Sequence, residues 1–391
     1  MNIATHRSAT GKTLLLIGIL LIAANLRAPF TSLPPLLGFI QGSFDLSTVA
    51  TGALTALPLL AFALLSPFSA MIAREYGLER TLFGALIAIA LGIVLRSLGA
   101  SWGLYLGTAI IGMGIAAGNV LLPSLVKRDF SGNVASVTGA YALVMGIAAA
   151  LGSVVVTPMT GVWGWRTALL MFLVLPVLAM LIWSKQLSGH TAPTASTATP
   201  PHGGKVWHSA LAWQVTLFLG LNSTIYYVVV GWLPTMLTDA GLSPTEAGSF
   251  HGIMQLATAV PGLLLGPVLR RMRDQRLAGA AVCICSGIAL LGLDIAPQLA
   301  LIWSILFGIG TGAGIILGLS LIGLRTHNAH QAAALSGMSQ CIGYLLASAG
   351  PMAIASLHDA LGGWGIPLQL CAGLAVIAAV MGFLAGRDRS L

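Results

Sequence analysis

The 391-residue chain is expected to be an all-α integral membrane protein, with twelve transmembrane helices in two pseudo-symmetric six-helix bundles. Three observations carry that expectation. Only 7% of residues are charged against 57% hydrophobic, whereas soluble domains carry about 25% charge to solvate their surfaces. Ten acids and eighteen bases cannot cover a folded body of this size, so lipid takes the place of water. Twelve apolar runs approach the ~20 residues that a helix needs to cross a bilayer, and the second six repeat features of the first. The same composition excludes disulfide scaffolds, disordered chains and soluble nucleic-acid binders. It leaves the net charge of +8 to be read by its placement.

The runs lie at roughly 13–37, 48–73, 81–100, 104–126, 134–158, 166–184, 211–237, 245–269, 277–296, 300–324, 332–357 and 366–386. Helices are the expected spanning form because each satisfies its own backbone hydrogen bonds in lipid, and the alternating ten-residue pattern of an outer-membrane barrel is missing. The first run follows Arg7 and Lys12 as a secretory signal would, but it stays apolar to Leu37 and is kept as a span. Between the sixth and seventh runs, 185–210 is rich in Pro, Gly, Ser and Thr and cannot bury enough apolar surface to order itself. It is expected to be a flexible cytoplasmic linker between an N-terminal bundle (1–184) and a C-terminal bundle (211–391). Glycine, at 48 residues, suits close approach of helices that no hydrophobic effect drives together. The four cysteines all fall within runs and read as small packing residues.

Placing the N-terminus in the cytoplasm puts fifteen of the eighteen basic residues there. They are Arg7, Lys12, Arg74, Arg80, Lys127, Arg128, Lys185, Lys205, Arg270, Arg271, Arg273, Arg276, Arg325, Arg387 and Arg389. Of the others, Arg96 and Arg166 fall near outer helix ends and Arg27 falls inside a span. Asp45, Asp239, Glu246 and Asp359 lie outside, and tryptophans such as Trp102, Trp163 and Trp364 mark the outer interface. This is the positive-inside pattern. A multi-pass protein of the bacterial inner membrane, with both termini cytoplasmic, is expected.

The halves match at an offset near 196. Gly112, Gly114, Gly118 and Ser124 in the fourth run correspond to Gly308, Gly310, Gly314 and Ser320 in the tenth. Arg74 and Arg80 correspond to Arg270 and Arg276; Gly139 and Gly152 correspond to Gly337 and Gly350 at 198. Two parallel six-helix halves fit a rocking transporter. The loop AMIAREYGLER (70–80) and its second copy GPVLRRMRDQR (266–276) then supply a family resemblance. They resemble the loop between spans two and three of the major facilitator superfamily, usually Gly-x-x-x-Asp-Arg-x-Gly-Arg-Lys/Arg. Arg74 stands where the Asp is expected, which leaves the usual charge relay without that acid. NLRAPFTSLPPLL in span one and WQVTLFLGLNSTIYYVVVGWLPTML in span seven resemble the superfamily's cyanate permease and 2-nitroimidazole exporter branch. The resemblance implies a major facilitator fold and export of a small nitro-aromatic heterocycle such as 2-nitroimidazole; the alternative, favoured by an unpaired arginine within a span, is uptake of a small anion such as cyanate.

Arg27 is the sharpest candidate for substrate binding. An arginine at the centre of a span costs about 2.5–3.5 kcal/mol on insertion scales, so an unused one is not expected. The spacing places Arg27, Phe30, Thr31 and Pro34 on one helix face. A guanidinium beside a ring can donate a forked pair of hydrogen bonds to a nitro or carboxylate group and stack on a flat ring. The bland alternative is a structural arginine tied to carbonyls at a helix break near Pro29. Asn25 in span one, Asn119 in span four, Tyr141 in span five, Asn222, Tyr226 and Tyr227 in span seven, His251 and Gln255 in span eight, and Gln340 and Tyr344 in span eleven complete the candidate set. For each, interhelical hydrogen bonding is the bland reading.

Mid-span carboxylates, the common proton carriers, are missing, so any proton coupling falls to His251. Gly308-x-Gly310-x-x-Ala313 lies within an apolar run with no preceding strand, so it is read as packing notches rather than a nucleotide site. HExxH, Walker and paired-carboxylate motifs are missing, and neither an enzyme nor a cofactor or metal site is expected. The expected partners are a small-molecule substrate and the lipid bilayer, with no nucleic acid, and the expected working unit is a monomer.

Overall fold

In span one the helix breaks where prolines remove its hydrogen bonds, and this break places the later site. The computed structural model describes residues 9–130, 133–187, 206–272, 274–327 and 329–391. Arg7, Arg273 and the greater part of the expected linker (188–205, with Lys205) lie outside the described residues. Span one consists of α1 (Ala9–Asn25), the short α2 (Ala28–Thr31), a 3-10 turn at Pro34–Leu36 and α3 (Leu37–Phe44). Pro29, Pro34 and Pro35 cannot donate to the helical ladder. The expected single face of Arg27, Phe30, Thr31 and Pro34 is therefore not one helix face, because Arg27 is the N-cap of α2 with non-helical angles (φ −126°, ψ −49°).

The remaining helices are α4 (Thr48–Tyr76), α5 (Leu78–Ser97), α6 (Ser101–Asp129), α7 (Val134–Leu170), α8 (Val174–Trp183), α9 (Ala210–Asp239), α10 (Pro244–Arg271), α11 (Arg276–Ile295), α12 (Ala300–Leu324), α13 (Ala329–Leu361) and α14 (Gly365–Ala385). Ten described stretches are long and apolar enough to cross a membrane. One of them, Ser136–Gln186, makes two crossings, since α7 kinks at Gly164 (φ 78°), a backbone region that suits glycine. The twelfth crossing is α10, whose 28 residues are more polar. This is the twelve-helix architecture of a multi-pass membrane protein. Below, the terminal face is the one that carries the chain ends, and the distal face lies opposite.

The sequence repeat is a structural repeat. A methyl added at Gly112 would stand 2.6 Å from Pro58 Cα on α4, one at Gly114 would stand 2.6 Å from Ala85 O on α5, and one at Gly118 would stand 2.4 Å from Leu26 of span one. In the second half Gly308 meets Met254 O on α10 at 2.5 Å, Gly310 meets Ser286 Oγ on α11 at 2.5 Å, and Gly314 meets Asn222 Oδ1 on α9 at 2.5 Å. Spans four and ten thus use equivalent notches to seat equivalent neighbours.

Arg96 falls in the last turn of α5, as expected, but is buried there: it is 1% exposed, and its Nη1 donates to Pro29 O at 2.7 Å. It also reaches Ser32 Oγ at 3.4 Å. It caps the carbonyl that the span-one break sets free. Although Arg74 stands where the Asp is expected, an ion pair joins the start of α5 to the end of α6. Glu79, fully buried at the start of α5, accepts from Arg128 Nη2 at 2.7 Å at the end of α6. At offset 196, Gln275 takes the place of Glu79 and accepts from Arg325, which also binds Ala385 O at 2.9 Å. The second pair is neutral on one side.

The halves meet along α7 with α10 and α4 with α13. Toward the distal face the fit is tight: Gly248 lies against Thr157 and Ser153, Gly252 against Ala150 O, and Gly52 against Trp232, Pro351 O and Ala355. Trp232 Nε1 donates to Pro351 O at 2.9 Å across the same region. Toward the terminal face, Gly139 and Gly337 have nothing within 4 Å of an added methyl. Among the described residues the two halves are in close contact toward the distal face.

Candidate functional site

Arg27 is half-buried at the α1–α2 break, near mid-membrane and between the two halves. Its guanidinium lies within hydrogen-bond reach of the Tyr227 hydroxyl and close to Tyr226 and Tyr344. Among the described residues Arg27 makes no ion pair, and its positive charge faces hydroxyl oxygens. Around it the rings form a continuous row. Phe30 meets Tyr227 edge-on at 6.0 Å, Tyr226 meets Tyr227 at 5.0 Å, Tyr227 meets Tyr344 at 6.4 Å, and Tyr344 meets Phe62 at 5.4 Å. Spans one, two, seven and eleven each contribute to this row, two from each half.

The break in span one makes the placement possible. A regular helix would keep Arg27 in the α1 ladder. Instead Thr31 Oγ1 donates to Ala149 O on α7 at 2.9 Å and Arg96 holds Pro29 O. The turn is therefore fixed from two sides. Tyr226 donates its hydroxyl to Gln255 Oε1 at 2.8 Å, which orients the phenol oxygen for a neighbouring donor.

The structure brings Arg27, Phe30, Tyr226, Tyr227 and Tyr344 together, with Gln255 one hydrogen bond away. Asn119 and Gln340 are half-buried and make no side-chain hydrogen bond among the described residues. Three candidates are engaged elsewhere. Asn25 is fully buried, donating back to Leu21 O at 2.8 Å within its own helix. Asn222 donates to Thr311 O at 3.1 Å, joining α9 to α12 inside the second half. Tyr141 sits near the terminal end of α7, hydrogen-bonded to Thr138. His251 is 0% exposed, bonded to Ser153 at the junction of the halves and two bonds from Tyr226. Phe62 and Ser153 were not among the candidates. Nothing in the sequence separates Phe62 from Phe68, one and a half turns on, which is 53% exposed.

A guanidinium with no carboxylate partner among the described residues, set among aromatic rings between the two halves, can hold a flat solute with an electronegative end. It can hold that solute from either side as the halves rock. Comparison with known proteins agrees with this architecture. Residues 15–351 match the family model described as Major Facilitator Superfamily. The chain is 50% identical to the 2-nitroimidazole transporter of Escherichia coli (strain K12) over 392 positions covering all of both chains. It is 27% identical to the cyanate transport protein CynX of the same organism, over 86% of this chain and 88% of that one. Among solved structures, a bacterial homologue of the human lysosomal transporter Spinster, in an inward-facing and occupied conformation, superposes with a TM-score of 0.75 at 16% identity. That superposition covers 97% of each chain. Fold, repeat and relatives agree, and the chain belongs to the Major Facilitator Superfamily as a twelve-span transporter.

Proposed function

We propose that this transporter exports a small, flat nitro-aromatic heterocycle such as 2-nitroimidazole from the cytoplasm across the bacterial inner membrane. The single observation that carries the reading is Arg27, paired with no carboxylate and surrounded by Tyr226, Tyr227 and Tyr344 with Phe30 alongside. The forked donors of Arg27 match the two oxygens of a nitro group, and the rings on both halves match a planar heterocycle. The substrate named for the Escherichia coli relative supports the same class. Asn119 and Gln340, with free amides, are the next candidates for contact, and Gln255 acts through Tyr226. The terminal face is cytoplasmic by the distribution of basic residues, and the site loads from that side when the halves part there. One chain supplies both walls of the chamber and works as a monomer without nucleic acid.

A second reading, uptake of a small anion such as cyanate, is favoured by the unpaired charge of Arg27 and by the CynX relative. The aromatic row favours the first reading, since a linear three-atom anion leaves the ring faces unfilled. Thermal unfolding of the purified protein separates them. A ligand at 100 times its Kd stabilises the folded state by about 2.7 kcal/mol; 2-nitroimidazole is expected to raise Tm and cyanate to leave it unchanged. Arg27→Lys retains the charge but loses the fork. Loss of charge-assisted hydrogen bonds of about 1.5–3 kcal/mol predicts affinity down by about 10- to 150-fold, with the protein still folded. Wild-type transport by Arg27→Ala in vesicles would remove Arg27 from the site.

A further inference from the structure

Arg96, in the last turn of α5, directs both of its hydrogen-bonded nitrogens at the break in span one. Its Nη1 donates to Pro29 O at 2.7 Å and its Nη2 reaches Ser32 Oγ at 3.4 Å. Ser32 is itself fully buried and donates to the same Pro29 O at 3.2 Å. This carbonyl needs donors from outside the helical ladder, because Leu33 N, four residues on, turns instead to Phe30 O at 3.4 Å. Just upstream, Arg27 O accepts from Phe30 N at 3.0 Å, from Thr31 N at 2.9 Å and from Thr31 Oγ1 at 3.1 Å. The backbone of Arg27 and the turn at Pro29 are therefore one hydrogen-bonded unit, and α5 grips that unit through Arg96.

Filling the slot at the end of α5 does not require a charge. At the repeat offset of 196, α11 has Gly292 in place of Arg96, and α12 has Trp303 where α6 has Gly107. A methyl added at Gly107 would stand 2.5 Å from Arg96 N and 2.8 Å from Arg96 Cβ, while one added at Gly292 would run into the Trp303 ring. The two halves have exchanged which helix carries the large side chain. In the second half an indole fills the space, and its single N–H goes to Ala296 O at 3.0 Å. Span seven is correspondingly unbroken: α9 runs from Ala210 to Asp239, with Ile225 where span one has Pro29. The buried cation thus occurs in the half that has the break. Burying a cation is costly unless its donors are used. Among the described residues Arg96 makes no ion pair and its Nε has no hydrogen-bond partner, so what its charge serves is the turn at Pro29.

We propose that Arg96 is a positioning residue for the cargo site, setting the aim of Arg27 by holding the Pro29 carbonyl. The turn it grips carries the Arg27 guanidinium to the Tyr227 hydroxyl and the Phe30 ring to within 6.0 Å of the Tyr227 ring. Arg96 acts through the backbone of span one rather than on the cargo. Without its grip the turn keeps only the Ser32 hydroxyl on Pro29 O, and donors two residues upstream lose their fixed direction. A site that relies on geometry is weakened by such loosening even when every residue that touches the ligand is intact. The effect of Arg96 on cargo rests on the reading that Arg27 holds it; the effect on the placement of Arg27 does not.

The test uses the full-length chain in lipid nanodiscs with its six tyrosines supplied as 3-fluorotyrosine, and the fluorine resonance of Tyr227 assigned by its loss in Tyr227→Phe. Arg27→Ala shows where that resonance moves when the guanidinium is gone. Arg96→Met, similar in length but without donors, should move it toward the same position, while the resonance of Tyr141, near the terminal end of α7, stays in place and reports folding. Arg96→Lys, which keeps one donor for Pro29 O, should bring the Tyr227 resonance part of the way back. Ser32→Ala removes the other donor on that carbonyl and stands in should the methionine variant fail to fold; it should move the resonance the same way. In vesicle uptake of 2-nitroimidazole, Arg96→Met should raise KM about ten-fold, the worth of one hydrogen bond to a charged group, with kcat near the wild-type value. It should add little to the rise already caused by Arg27→Lys, since both act at one point. A Tyr227 resonance at its wild-type position in Arg96→Met, or in Ser32→Ala if the methionine variant does not fold, overturns the proposal, as does full additivity with Arg27→Lys. Should the wild-type protein fail to carry 2-nitroimidazole, the cargo reading falls, and the Tyr227 resonance still decides the role of Arg96.

Discussion

Asn222 and Tyr226 stand one helical turn apart on α9 and serve different purposes. The Asn222 amide is spent on Thr311 O of α12 and wedged against Gly314, while Tyr226 turns toward Arg27 and Gln255. Replacing Asn222 with alanine should cost about 0.6–2 kcal/mol of stability, the value of an interhelical hydrogen bond in lipid. It should leave the KM for transport unchanged. Thermal unfolding in detergent alongside vesicle uptake checks both halves of that expectation, and a raised KM with unchanged Tm would return Asn222 to the chamber. The sequence could not make this distinction. Polar residues at i, i+4 spacing look alike whether they face a neighbour or a cavity, and only the packing of α12 decides. Arg27 was legible because a mid-span charge is costly whatever surrounds it. Phe62 was not, because an aromatic ring in a membrane helix costs nothing on either the lipid or the chamber side.

The glycines of α6 and α12 show how much of the fold was written in the chain. Their 196-residue offset was readable as duplication, and the structure gives each pair the same duty toward the same neighbouring spans. The break in span one was less legible: Pro29, Pro34 and Pro35 announced an irregularity, but the capping of Pro29 O by Arg96 joins residues 67 positions apart. The glycine pattern predicts opposite signs for one kind of substitution. At Gly112 and Gly308 an added methyl meets backbone at 2.6 and 2.5 Å, which cannot give way cheaply. Gly112→Ala and Gly308→Ala should each destabilise by about 1–3 kcal/mol. At Gly337 the space is open, and Gly337→Ala should gain up to about 0.5–1 kcal/mol from reduced backbone freedom in the unfolded chain. Unfolding midpoints of the three variants settle the matter, and equal losses at all three sites would mean that the notches do not carry the packing.

At the scale of the whole molecule, the two interfaces between halves are tight distally, and alternating access requires that packed end to part. A substitution that penalises one packed end should move the population without touching the chamber. Gly52 offers such a point: its added methyl would stand 3.1 Å from Trp232, 3.2 Å from Pro351 O and 3.4 Å from Ala355. A leucine at that position exceeds the space left by three groups of the opposite half. Overpacking of about 1–3 kcal/mol, felt only when the distal face is closed, corresponds to a shift of about 5- to 150-fold toward the distally open form. Gly52→Leu should therefore lengthen the distance between spin labels at Asp45→Cys and Asp359→Cys, one on each half at the distal face. It should also slow net transport, because the return to the terminal-open state becomes the costly step. The affinity for cargo presented to the distal side should rise, since the competent state is no longer a minor one. If Gly52→Leu instead kept the wild-type distance distribution, α4 and α13 would have to part without their distal contact mattering. The rocking of the two halves would then have to turn on the α7–α10 contact alone.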